Sequence, residues 1–191
     1  QQGLAIVADI SRADMCVVMA EPEGLKVVAQ VFPHSIATLY RQPWVGRLLS
    51  FDDNPLVTSC LLHGRPGQSQ TNLLEMGTPV VLQVMPIVSA AGRVIAALKI
   101  ETNLIASERQ RRRSAVFRKA VVSLQAMLLR GELAGAAPLT PFSEWDGILF
   151  VDESFTIRYV SGIANNLYRR LGYMDDLHGK HIGDLQTKDV N

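Results

Sequence analysis

Little in this sequence announces a chemistry by abundance. Cysteine is scarce: Cys16 and Cys60 are the only two in 191 residues, too few and too far apart for a disulfide scaffold or a zinc site. That scarcity fits a reduced, cytoplasmic protein. Charge of one sign is lacking too, since 19 Lys+Arg against 18 Asp+Glu leave a net charge of +1. Dedicated nucleic-acid binders carry a strong basic excess, so no direct nucleic-acid contact is expected. No apolar run approaches the roughly 18 residues of a membrane helix, so no membrane attachment is expected either. Gly-x-Ser-x-Gly, Walker and His-Glu-x-x-His motifs are all missing. The sequence therefore assigns no catalytic residue, no metal ligand and no cofactor.

What is present is apolar. A hydrophobic share of 48% supports a packed core and excludes disorder over most of the chain. The length suits one ordinary domain or two small ones. Gln1 in place of Met, with no secretion signal behind it, predicts a piece excised from a longer chain.

The first elements follow from local pattern. Residues 4–10 read as the end of a helix begun upstream. Met15–Met19 and Leu25–Phe32 read as strands joined by the turn Glu21-Pro22-Glu23-Gly24. A mixed, turn-rich stretch over 33–77 holds one short helix. Asn54 is its cap, Pro55 its first residue, and His63-Gly64 its stop. The strongest β signal is the hairpin of Thr78–Ile87 and Arg93–Glu101 around Ser89-Ala90-Ala91-Gly92.

A single long helix is then predicted from Leu104 to Arg130. Val116, Phe117, Ala120, Val121, Leu124, Met127 and Leu128 form one apolar stripe on it, and Gly131 and Gly135 end it. Residues 131–141 have linker composition. A second hairpin, Gly147–Asp152 and Thr156–Ser161, precedes a short helix over 163–171 and a turn with a helical piece over 173–185. Two strands with some helix do not close a core, so this second domain is expected to be cut short.

The stretch from Asp146 to Tyr173, DGILFVDESFTIRYVSGIANNLYRRLGY, resembles the opening of a PAS domain, and Leu177–Leu185 resembles the helical segment that follows. Ser161 stands where that family often has Asn. The front of the chain resembles a GAF-like domain, the sister fold. The residues that carry the likeness are Pro79 to Glu101, a Val-Met-Pro-Ile-Val strand, a Gly-containing turn and Val-Ile-Ala-Ala-Leu-Lys-Ile, with Ala96 in place of a frequent Gly.

GAF, helix, then PAS is similar to the sensory half of one group of cytoplasmic bacterial sensor histidine kinases. That resemblance implies a homodimer, a response regulator (often an RNA-binding antiterminator) as partner of the full-length protein, and ATP only in a kinase domain beyond Asn191. It implies a phosphoacceptor beyond Asn191 too, because none of His34, His63, His178 or His181 has its context.

Several residues invite a sharper reading, each with a plain alternative. Arg109, Arg111, Arg112 and Arg113 form the one charge run, read as a solvated helix start or an inter-protomer contact. The apolar stripe suits either packing on its own domain or coiled-coil-like dimer packing; the latter is preferred, because no sheet is assigned to cover it. His178 and His181 are spaced to share a metal, with Asp175, Asp176 and Asp184 nearby, but surface or capping roles are expected. Cys16 and Cys60 sit in apolar surroundings and read as buried, inert thiols. A small-molecule signal is expected on the concave sheet face, with Asn54, Thr58, Gln70 and Asn72 as orienting groups. Trp44 is either packing or a lid there.

The expected fold class is α+β. A GAF-like antiparallel sheet domain covers 1–103, a connecting dimerisation helix 104–131, a linker 132–141 and the N-terminal part of a PAS domain 142–191. The expected function is signal input to a two-component sensor histidine kinase. Alternatives are a sensory region for a cyclic-dinucleotide enzyme or transcription activator, or a ligand-free dimerisation platform.

Overall fold

Alternating apolar residues with Gly-containing turns make antiparallel hairpins, and the front of the chain is built from them. The computed structural model describes residues 3–34, 36–72, 79–133, 135, 141–143 and 145–185, without the side chains of Asn72 and Gln110. Its elements run α1 (Leu4–Ser11), β1 (Asp14–Glu21), β2 (Gly24–Val31), β3 (Leu48–Leu49), α2 (Pro55–His63), β4 (Gly67–Asn72), β5 (Pro79–Val88), β6 (Val94–Asn103), α3 (Leu104–Arg111) and α4 (Ala115–Arg130). Beyond them lie β7 (Leu149–Val151), β8 (Ile157–Val160), α5 (Gly162–Arg170) and a 3₁₀ turn at Ile182–Asp184. The α+β class is as expected. The chain divides into one compact unit of 1–112 with 121–142 and a second of 113–120 with 143–191.

In the first unit six antiparallel strands lie in the order β3-β2-β1-β6-β5-β4. The β1–β6 register sets Asp14 opposite Glu101, Cys16 opposite Lys99 and Val18 opposite Ala97, all on one face. Met15 with Ile100 and Val17 with Leu98 fall on the other. In β2 a bulge opposite Val17/Val18 inserts one residue. Leu25 and Val27 therefore join the first face, whereas Ala29 and Val31 join the second. The first face is covered by α2 through Val57 and Cys60. The second is covered by α1 (Leu4, Val7, Ala8) and the later half of α4 (Leu124, Leu128, Leu129).

Four expectations need correction. The predicted helix over 104–130 is two helices. Ser114 Oγ accepts the Phe117 amide at 3.2 Å and caps α4, so the chain restarts there. Like charges at Arg109 and Arg113, four apart, also disfavour continuity. Second, α1 does not come in from upstream: Gly3, with φ of 89°, precedes its first residue. Third, Gly67–Asn72 is an edge strand paired with β5 rather than turn. Fourth, the apolar stripe is not left without a sheet, since its later half lies on the second sheet face. Gly131 ends α4 as predicted: its φ of 71° allows a Schellman motif, with Gly131 N–H to Leu128 O at 3.1 Å and Glu132 N–H to Met127 O at 2.9 Å.

The second unit has its own core of Ile157, Leu177 and Leu185, ringed by Leu149, Val151, Val160, Tyr168, Tyr173 and Ile182. Its tight turn is organised by Asp152, whose Oδ1 accepts the Ser154 and Thr156 amides at 3.0 Å each. Ser154 Oγ–H also donates to Asp152 Oδ1 at 2.7 Å and Arg158 Nε–H to Oδ2 at 2.6 Å, and these side-chain bonds, the Ser154 hydroxyl's first, hold the carboxyl below its ordinary range. Ser161 Oγ caps α5 through Ala164 N–H and also accepts Ile148 N–H at 2.9 Å. Phe117, on the first turn of α4, packs on Tyr159 with ring centres 5.0 Å apart.

Candidate functional site

On the first sheet face, a cavity of about 340 Å³ opens beside the start of α2. Its walls come from Leu48, Leu49, Leu56, Val57 and Leu82, with Trp44 on one side and Ser50, Asp53, Asn54, Ser69 and Thr71 as polar groups. Lys99 is its buried cation. That volume lies at the low end of ligand pockets, so it suits a small metabolite.

Register explains how charge comes to line this cavity. Lys99 and Glu101 are two apart on β6 and so share a face with Asp14 across the ladder. All three are at least 95% buried. Lys99 Nζ pairs with Glu101 Oε1 at 2.9 Å and lies 5.6 Å from the centre of the Trp44 ring. Tyr40 Oη donates to Glu101 Oε2, and Lys99 Nζ approaches Tyr40 Oη at 3.5 Å. Tyr40 meets Trp44 edge-on, with ring centres 4.6 Å apart. Burial first, then the Glu101 charge, pushes the Tyr40 hydroxyl far above its ordinary value, so it stays a donor. Asp14 accepts Thr38 Oγ1–H at 2.5 Å and Leu39 N–H at 3.1 Å.

Burial raises the Asp14 carboxyl above its ordinary value, opposed by the Thr38 and Leu39 bonds. A folded-state value above the unfolded one means that the folded chain binds the proton more tightly. Asp14's contribution to stability therefore improves as pH falls through the folded value, until the unfolded chain also protonates near about pH 3.9. Asp14→Asn keeps an acceptor for Leu39 without the charge. Relative to the native chain its stability should be higher at pH 7 than at pH 4, as urea titrations at the two values will measure.

Of the residues expected here, Asn54 and Trp44 line the cavity. Trp44 packs on the sheet core and forms one wall of the cavity. Asn54 occupies the cap position, but its side chain donates to Ser50 O at 3.1 Å instead of capping α2. Thr58 turns away to the Phe51 and Asn54 carbonyls, both at 3.0 Å. Gln70 is exposed, and its strand neighbours Ser69 and Thr71 line the cavity in its place. The side chain of Asn72 lies outside the described residues. Sequence reasoning missed Asp14, Tyr40, Lys99 and Glu101. The available signal was a pair of charges two apart in an otherwise apolar strand.

Cys16 and Cys60 are buried; burial pushes the Cys16 thiol up to about 12 and raises Cys60 as well. His181 Nδ1 accepts the Gly183 amide at 3.0 Å and caps the 3₁₀ turn, whereas His178 is exposed and its amide donates to Asp176. His63 lies exposed in the last turn of α2. Arg109, Arg111 and Arg112 are exposed, Arg111 pairing with Glu108 at 2.9 Å. Arg113 reaches Tyr159 Oη at 3.3 Å and stacks on Phe117. Among the described residues no group of three or more His, Cys, Asp or Glu is placed to hold a metal, and no helix is long and apolar enough to cross a membrane.

An antiparallel six-stranded sheet with helices on both faces and a small cavity under one of them is a GAF-like sensor fold. Residues 1–121 match the family described as histidine kinase PdtaS, GAF domain, and the chain belongs to that family. This part of the chain is thus the sensor domain of a histidine kinase. A solved structure described as the sensor region of a sensor histidine kinase is similar over 95% of this chain, at 25% identity and a TM-score of 0.67. The chain spans 64% of that structure's length. The transcriptional regulator YaiJ (10% identity, 68% of this chain and 91% of that one) and Pseudomonas aeruginosa HmgR (17%, 70% and 65%) are more distant, with TM-scores of 0.45 and 0.41. No curated protein matches the sequence.

Proposed function

We propose that this chain is the signal-input region of a cytoplasmic two-component sensor histidine kinase, with the front cavity as the place where the signal binds. The cavity carries this reading, because it joins an aromatic wall, several hydroxyls and one buried ammonium in a volume of about 340 Å³. A small molecule that offers an acceptor to Lys99 and a flat face to Trp44 fits it. A ligand with different affinity for two states of this domain then shifts the balance between them.

The rest of the chain supplies the output path. Residues 142–191 are the opening of a PAS domain in this reading, supported by the β7–β8 hairpin, α5 and the 3₁₀ turn in that order. The helices over 104–131 join a second copy in a homodimer. Support for that comes from Val116 and Val122, which stay exposed on α4 while Leu124 and Leu128 cover the chain's own sheet. The kinase domain with its ATP lies outside this chain, and its partner is a response regulator of the RNA-binding antiterminator kind.

The test uses the intact gene product with radiolabelled ATP, split between acid and base. Label lost in acid and kept in base is the expected phosphohistidine. No label, together with no ATP binding in a separate titration, sinks the kinase reading.

A further inference from the structure

The segment between β2 and β3 crosses the front domain without strand pairing over residues 33–43, apart from Ser35, which lies outside the described residues. It is tied down by acceptor side chains. His34 is held by Asp9, Thr38 and Leu39 by Asp14, Tyr40 by Glu101, and the Trp44 amide by Gln30 Oε1 at 2.5 Å. Its far end is the cavity wall, Trp44.

Its near end meets a residue with a second attachment. Asp9, on α1, is 2% exposed. Its Oδ1 accepts the His34 amide, while Oδ2 faces His34 Nδ1 at 3.3 Å and accepts the Phe142 amide at 3.2 Å. Phe142 is the last residue of the first compact unit, and Ser143 resumes the second. One buried carboxylate therefore holds both the strap that walls the cavity and the point where the chain leaves this unit.

We infer that Asp9 is a positioning residue that couples the cavity strap to the exit segment at Phe142. Resting on the reading of the cavity as the signal site, this names the way its state leaves the domain. The physical reason is shared geometry. Both oxygens belong to one rigid plane, so a move of His34 turns the carboxylate and changes the bond to Phe142. Asp9 itself is buried, so water competes poorly for its carboxylate, and charge-assisted bonds are the strong ones. The two bonds are thus not independent, which is a coupling free energy, and it must act equally in both directions.

Amide hydrogen exchange on the 191-residue chain tests this without any ligand, with the Val84 amide in the central core as the reference for global opening. Thr38→Val loosens the middle of the strap by removing its hydroxyl bond to Asp14. It should speed exchange at both His34 and Phe142 by about tenfold, within the usual range of such couplings. In an Asp9→Asn background Thr38→Val should still move His34 but leave Phe142 where Asp9→Asn alone put it. The inference is overturned if Phe142 keeps its native rate while His34 responds, or if neither responds. It is also overturned if the effect on Phe142 persists undiminished without the Asp9 carboxylate.

Should Asp9→Asn not fold, Phe142→Pro removes the donor from the other end. Reciprocity then requires the His34 rate to shift, and an unchanged rate overturns the inference. The phosphorylation assay does not depend on this outcome, so the kinase reading and the relay can fail separately.

Discussion

Lys99→Met should destabilise the front domain by about 3–5 kcal/mol, because it removes the cation from a buried ion pair and leaves the carboxylate behind. The methionine matches the aliphatic stem of lysine, so little volume changes. What changes is the Glu101 environment: its side chain is 4% exposed, its Oε1 loses the ammonium at 2.9 Å, and Asp14 remains opposite it on the ladder. Attraction that offset desolvation is replaced by repulsion between two buried acids. The double variant Lys99→Met/Glu101→Gln should recover most of the loss, since the amide still accepts from Tyr40 without needing a counter-charge. Replacing a buried pair whole is often neutral or better. Urea midpoints of the three proteins decide it. A single variant as stable as the native chain would mean that the cavity solvates Glu101 unaided, and the pair would then exist for recognition alone.

How much of this could be read along the chain follows from where each piece of information lies. The β5–β6 hairpin was legible because both strands are β-branched and a Gly-containing turn separates them. The start and stop of α2 were legible in Asn54-Pro55 and His63-Gly64, because proline and glycine act through their own backbone. Gly67–Asn72 escaped because it is polar, and a polar edge strand looks like loop until its partner is known. The break before α4 escaped because the apolar spacing was read as one stripe, whereas one hydroxyl, Ser114, decides the restart. The charged floor of the cavity was the least legible. Lys99 and Glu101 stand in view in β6, but their meaning depends on Asp14 and Tyr40, some sixty to ninety residues earlier, being brought to the same face. Local pattern gives the face a residue takes, and only register gives its company.

The second unit offers the sharper trial of how the chain is divided. Ile157 is fully buried, and among the described residues its cluster has two other buried members, Leu177 and Leu185. Ile157→Ala removes the centre of that small core, and large-to-small changes at such sites cost about 2–5 kcal/mol. Ile157 also carries the backbone bonds to Lys180 O and from Gly179 N, both at 2.8 Å, that fasten the 177–185 segment to β8, and alanine keeps both groups, so the loss is one of side-chain packing. None of its cluster residues occurs in the clusters of the first unit. Two separable transitions are therefore expected. In a Trp145→Phe background, Trp44 is the one tryptophan left and reports on the first unit alone. Its urea midpoint should stay within error of the native value after Ile157→Ala, while part of the far-ultraviolet signal melts at lower urea. If the Trp44 midpoint falls by as much as the rest, α4, which contributes residues to both units, makes them unfold as one, and the boundary near residue 142 marks a change of core without a change of cooperative unit.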